Sequence, residues 1–144
     1  MIIKVLCLTA AALLAAAPTF AQDITTDVQA AYATWDAAFN KGDAAALSEA
    51  YAPDALFLAP DHEVRKGPDG VRKFFGGLFD AGVTNHKLTL IDAGGMEGLI
   101  YSTASWKAQA KGDDGKMKEI GGIATHVFEA QADGPMKLKV HTFN

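Results

Sequence analysis

The stretch that decides the fold is VTNHKLTLID (83–92), LIYSTASWKAQA (99–110), MKEIGGIATHVFEA (117–130) and MKLKVHTF (136–143). These segments, rich in β-branched and aromatic residues, read as four long strands. They are parted by Ala93-Gly94-Gly95, by Lys111-Gly112-Asp113-Asp114-Gly115 and by Asp133-Gly134-Pro135. Such strings turn the chain because glycine admits positive φ and aspartate bonds to nearby backbone. Gly121-Gly122 inside the third strand predicts a bulge or sharp bend. Strands joined this way form an antiparallel sheet.

Upstream the period changes from two to about 3.6. Gly67-Pro68 opens a helix whose apolar stripe is Val71, Phe74, Phe75, Leu78 and Phe79, and Gly82 closes it. Before it, Ala55 to Ala59 reads as a short strand, Pro60-Asp61-His62-Glu63 as a turn and Val64-Arg65 as the return. From Ile24 the apolar residues Val28, Tyr32, Trp35 and Phe39 share one helix face. Thr26 with Gln29 fits a capping box, and Asn40-Lys41-Gly42 is a stop. Asp43 caps a second, alanine-rich helix running through Leu47 to Tyr51, ended by Pro53. Three helices followed by a sheet make an α+β domain, without internal repeat or linker.

The first residues stand apart. Lys4 is followed by the apolar run Val5 to Ala17 and then by Pro18-Thr19-Phe20-Ala21. Charge, apolar run and small residue in that order predict a secretory signal over residues 1–21, a domain over 22–144 and a secreted or periplasmic location. The run is too short to span a membrane. The lone cysteine, Cys7, lies within the signal, so residues 22–144 hold no thiolate nucleophile or ligand. Removing Lys4 takes the formal charge from −4 to −5. With acids and bases interspersed, neither nucleic acid nor an anionic membrane is an expected partner.

Three strings carry a resemblance: Trp35-Asp36-Ala37-Ala38-Phe39-Asn40-Lys41-Gly42-Asp43, Tyr51-Ala52-Pro53-Asp54-Ala55 and Gly67-Pro68-Asp69-Gly70-Val71. Together they resemble the nuclear-transport-factor-2-like superfamily, above all its SnoaL-like and SgcJ/EcaC-type bacterial members. The resemblance implies a ketosteroid-isomerase-like fold: a cone in which a strongly curved sheet wraps a long helix around an apolar pocket, commonly as a homodimer. It also places Ala59, Trp35 and Thr125 where the isomerase has its carboxylate base, oxyanion tyrosine and oxyanion aspartate, and Phe75 at a supporting tyrosine. Alanine accepts no proton and indole offers a single N–H, so that mechanism is not expected here.

The resemblance points Trp35, Phe39, Tyr51, Phe57, Phe75, Trp106, Thr125 and Phe143 into the interior, as ligand-binding candidates or as plain core. Of the four histidines, His141 shares strand parity with Phe143 and is the first choice for a polar anchor or acid/base. The same parity puts Thr125 inward and His126 outward, where His126 is available to a dimer contact. Asp61 and His62, in the turn after Ala59, are a second acid–base candidate, or ordinary solvated turn chemistry. Asp36, Asp43 and Asp54 read as a helix face, a cap and a strand-entry residue. No metal-ligand spacing and no cofactor motif is present, so neither is expected. The functional expectation is an exported domain binding a small lipophilic molecule. The alternatives are a dehydratase, isomerase or cyclase using His141 or Asp61 and His62, and a dimeric accessory domain that binds protein.

Overall fold

The computed structural model describes residues 20–96 and 98–144, with side chains from Ile24 onward; the expected signal segment lies almost wholly outside them. The elements are α1 (Phe20–Asn40), α2 (Ala44–Ser48), β1 (Tyr51–Leu58), β2 (Val64–Lys66), α3 (Gly67–Asp80), β3 (Thr84–Met96), β4 (Leu99–Lys111), β5 (Met117–Glu129) and β6 (Lys137–Phe143). They form an α+β unit with one six-stranded sheet in the order β2-β1-β6-β5-β4-β3. Four pairings are antiparallel and one, β1 with β6, is parallel, so the sheet is mixed. The parallel pair arises because α3 and four strands intervene between β1 and the strand that comes back beside it.

Helix α1 buries Ile24, Val28, Tyr32, Trp35 and Phe39, the stripe read from the sequence. Its side chains reach β1 (Trp35 to Tyr51), β3 (Asp36 to Leu88), β4 (Tyr32 to Ser102), β5 (Tyr32 to His126) and β6 (Trp35 to His141). A flat sheet cannot bring five strands to one helix about 10 Å across, so the sheet curls around α1. Helix α3 closes the remaining side through Val71 and Phe75. Around Phe57, which is fully buried, the rings of Phe74, Phe75 and His141 stand with centroids 5.0, 5.3 and 5.1 Å away.

Several boundaries differ from the sequence reading, each for a physical reason. Helix α1 begins at Phe20, so Thr26 lies within the helix rather than at its N-cap. Asp43 does cap α2, accepting from the backbone N–H of Ala46, but α2 stops at Ser48. Tyr51 then opens β1 despite Pro53, which lies near the irregularity in register between β1 and β6. Gly94 and Gly95 do not turn the chain: they pair with Tyr101 and Ile100 in the β3–β4 hairpin. A Cβ on Gly95 would collide with the Leu99 carbonyl oxygen and stand 2.9 Å from Ile100 Cα, so glycine is needed there for space. Gly121 and Gly122 also sit in regular register against Lys107 and Trp106, without the expected bulge. A Cβ on Gly121 would press on the Trp106 carbonyl oxygen at 2.5 Å, and the missing side chain of Gly122 admits Asn144, whose backbone folds over it and whose carbonyl accepts from the Trp106 indole at 3.1 Å.

Replacing Phe57 with Ala should cost about 3–5 kcal/mol, since it removes a ring from a site enclosed by other rings. Urea unfolding monitored by circular dichroism measures it, and a cost below 1 kcal/mol would mean that the cone collapses freely.

Candidate functional site

Two concavities flank α1. The first, of about 290 Å³, is enclosed by Trp35, Phe39, Phe74, Phe75, Leu78, Val83, Leu88, Trp106, Ala108, Ile120, Ala124 and Phe143, with His86 and His141 as its imidazoles and Pro60-Asp61 at its edge. The second, of about 690 Å³, runs along the other side of α1 beneath the β5–β6 connection. Its wall includes Asp27, Glu49, Gln131 and Lys137 as well as Tyr32 and His126, so it is a more polar depression. The first is where apolar walls and polar atoms without protein partners converge, as a small-molecule site requires.

His86 is aimed from both sides. Asn85 takes a positive φ of 55°, and the β3–β4 register shifts between Thr84 and Lys87. The Asn40 side chain meets the backbone of His86 as a strand would, accepting from its N–H at 2.7 Å and donating to its carbonyl at 2.9 Å. The imidazole thereby presents Nδ1 to Asp36 Oδ1 at 2.7 Å. Asp36 is buried and also accepts from the Leu88 N–H, at 3.2 and 3.0 Å to its two oxygens. The His86 ring stands 4.8 Å from Trp35 and 4.6 Å from Phe39, and lies parallel to Trp106 at 6.1 Å.

Opposite it, His141 Nδ1 is 2.7 Å from the Tyr51 hydroxyl, which also accepts from the Trp35 indole N–H at 3.4 Å. The His126 ring lies 4.6 Å from that of His141, and its Nδ1 meets the Tyr32 hydroxyl at 2.9 Å. Tyr32 in turn contacts the Ser102 hydroxyl at 2.7 Å. Burial pushes Tyr32 up to about 12, and Tyr51 further, so both phenols stay protonated. Burial, reinforced by His86, lowers His126 to about 3; burial, with His126 and His86, holds His141 well below its ordinary value. These two imidazoles are therefore neutral at pH 7.

The structure thus gathers Trp35, Phe39, Phe75, Trp106, Phe143 and His141 around one cavity. Tyr51 and Phe57 are buried behind that lining. Thr125 is corrected: it is exposed on the outer face, and His126, expected outside, is buried. Directly opposed residues of an antiparallel pair share a face, and the register sets His126 against inward His141 and Thr125 against Thr142. Asp61 reaches the cavity edge, but its carboxylate is held by Arg65 at 2.6 Å, which keeps it down near 2. His62 lines a separate shallow hollow with Ala59, so Asp61 and His62 do not form an acid–base pair facing the cavity. Asp36 and His86 are the residues the sequence reading passed over. Asp36 follows Trp35 and precedes Phe39 by three, near enough to the apolar stripe to have marked it as a buried acid. Among the described residues no group of three His, Cys, Asp or Glu side chains is placed to hold a metal ion.

Because His126 and His141 are neutral when folded and protonatable when unfolded, the unfolded chain binds more protons below pH 6.5. Stability should then be full above about pH 6.5 and fall as pH drops toward 3, each histidine contributing up to about 1.4 kcal/mol per pH unit. Urea midpoints at pH 7.0, 5.5 and 4.5 test this above the range in which Asp54 and Asp61 titrate. A double His126→Phe, His141→Phe variant should flatten the slope.

No curated protein matches the sequence. Among solved structures, a putative calcium/calmodulin-dependent protein kinase II association domain from Xanthomonas campestris superposes with a TM-score of 0.66 at 22% identity, covering 96% of each chain. A ketosteroid isomerase-like protein from Erwinia carotovora atroseptica gives 0.74 at 14% identity, covering 86% of this chain and 96% of the other. An NTF2-like protein with a cystatin-like fold from Novosphingobium aromaticivorans gives 0.71 at 13%, covering 85% and 81%. These likenesses concern the fold. The SnoaL-like domain matches residues 28–136, the span from within α1 to the connection before β6, and the chain belongs to that family.

Proposed function

We propose that the cone binds a small, neutral, ring-bearing molecule in the cavity between α1, α3 and the inner face of the sheet. The observation that carries this is the cavity itself: about 290 Å³ walled by aromatic rings, with two imidazoles as its buried polar groups. An apolar cavity of about 150 Å³ already accepts benzene, so one or two fused rings fit. The lining has no lysine or arginine to meet an anion, and the carboxylate at its edge is already neutralised by Arg65. The order of charge, apolar run and small residues at the N-terminus supports an exported protein.

A second reading, favoured by the Asp36–His86 contact, is that the site also moves protons. A carboxylate on Nδ1 fixes the tautomer and steadies the imidazolium, the arrangement a general base needs.

Titrating naphthalene into the protein should quench tryptophan fluorescence saturably, and Trp106→Ala should weaken binding up to about tenfold, the value of one aromatic contact. A folded protein that ignores naphthalene and other one- or two-ring compounds would end the binding reading.

For the outer face of the sheet we propose a second copy of the chain. Rows Thr103, Thr125, Thr142 and Tyr101, Val127, Val140 cross its middle without a charge, Asp92 standing beyond Thr103 at the β3 edge, and a two-fold face that meets itself must keep like charges off its centre. Sedimentation should give a dimer that Thr125→Lys shifts to monomer; a monomer at 100 μM in the parent protein would remove it.

A further inference from the structure

We propose that the second concavity, between α1, α2 and the β5–β6 connection, is a binding site in its own right, which takes an uncharged ester of an apolar chain and donates to its oxygen from His126 Nε2–H.

His126 forms the inner end of this site. The residue is only 2% exposed, yet the concavity reaches it. Its Nδ1 meets the Tyr32 hydroxyl at 2.9 Å, and its Nε2 has no partner among the described residues. No side-chain nitrogen or oxygen among those residues is both sealed and unpartnered, so Nε2 opens onto the space that the ring lines. The aromatic cavity on the other side of α1 is a different space. His141 walls it there, with its ring centroid 4.6 Å from that of His126. The two imidazoles stand side by side and each faces one space.

Ser102 decides which nitrogen of His126 carries the proton. It is fully buried, and among the described residues its hydroxyl meets Tyr32 alone, at 2.7 Å. If Tyr32 donated to Ser102, the serine hydrogen would be sealed without an acceptor. Ser102 therefore donates to the Tyr32 oxygen, and the single phenolic proton goes to His126 Nδ1. Burial keeps His126 neutral at pH 7, so its own proton lies on Nε2. The buried end of the concavity thus presents a donor, fixed in that role by two hydroxyls behind it.

The rest of the wall selects the body of the ligand. Leu47, Phe128 and Leu138 are buried apolar residues of the lining, and Ala30 and Ala31 of α1 are too small to fill the space beside them. The volume, about 690 Å³, is more than twice that of the aromatic cavity at about 290 Å³. Asp27 and Glu49 outnumber the one ammonium of the wall, Lys137, which already donates to the Glu49 backbone carbonyl. Those charges disfavour an anion. An ammonium cannot accept from Nε2–H, and a hydroxyl brings a hydrogen for which His126 has no acceptor. An ester on an apolar chain carries acceptors and no donor, and it meets all three conditions.

The probe is methyl hexanoate, with hexanoate as its anionic counterpart. In the full chain labelled with ¹⁵N-histidine, ring correlations in NMR should place the His126 proton on Nε2, and methyl hexanoate should shift that nitrogen saturably. Ala30 is exposed on the wall of the concavity, so Ala30→Trp narrows the site and leaves the core intact. That variant should weaken the ester by about tenfold or more and hold naphthalene binding within about twofold. His126→Phe should weaken the ester by about tenfold, the value of one hydrogen bond, and His126→Gln, which keeps an N–H donor, should recover part of the loss. Hexanoate should bind about tenfold more weakly than the ester. A His126 proton found on Nδ1, ester affinity that survives Ala30→Trp or His126→Phe, or hexanoate binding as tight as the ester would each overturn this inference. So would failure of the ester to bind a protein that still takes naphthalene, and that result would leave the reading of the aromatic cavity standing. Ester binding without naphthalene binding would support this site and remove the other.

Discussion

A carboxylate sealed between a helix and a sheet must be met by donors, and Asp36 is met from one strand by His86 Nδ1, the backbone N–H of Leu88 and, at 3.9 Å, the ammonium of Lys87. An unpartnered charge at that depth would cost several kcal/mol, so α1 and β3 are held in one relation. Asn40, one turn further along α1, repeats the attachment by pairing with the backbone of His86. β3 lies at one edge of the sheet and β1 near the other, and Trp35 joins the helix to Tyr51 on β1. With both flanks tied to one helix, the sheet has no flat alternative and the cavity is what its curl encloses.

The interior is polar in an economical way. Ser102, Tyr32, His126, His141, Tyr51 and Trp35 form a line of hydroxyl, imidazole and indole groups through the core, and every sealed side-chain polar atom among the described residues has a partner. A half-satisfied network would be worse than an apolar core; this one gives the aromatic cluster fixed ring orientations. The Asp36–His86 contact stands apart from that line, and its imidazole also lines the cavity.

Much of this was legible in the chain. The stripe Val28, Tyr32, Trp35 and Phe39, the stripe of α3 and the four long strands follow from period alone, and the cap at Asp43 from residue type. Periodicity could not supply register. Whether Thr125 or His126 faces inward depends on which residue of β6 stands opposite, and that is a property of two strands at once. The glycine pairs misled for a related reason: the sequence shows that a side chain is missing, not whether the backbone needs a turn or a neighbour needs the room. Asp36 was hidden because an acid beside an apolar stripe is ordinarily solvated, and only its donors on β3 explain its burial. His86 carried no signal of its own; its direction comes from the positive φ of Asn85 and the local shift in register.

A helix that touches five strands also constrains how this domain can diversify. Any change to Trp35 or Tyr32 is felt by two or more strands together, and one to Asp36 by the edge strand β3, so the helix face that braces the sheet tolerates little change. The edge is different: Leu78, Val83 and Ile120 line the cavity, yet none of them takes part in the polar line through the core. Side chains there can grow or shrink one at a time without disturbing the curl. The architecture thus separates a braced interior from an adjustable entrance, so the space behind that entrance can be reshaped without loosening the scaffold that encloses it.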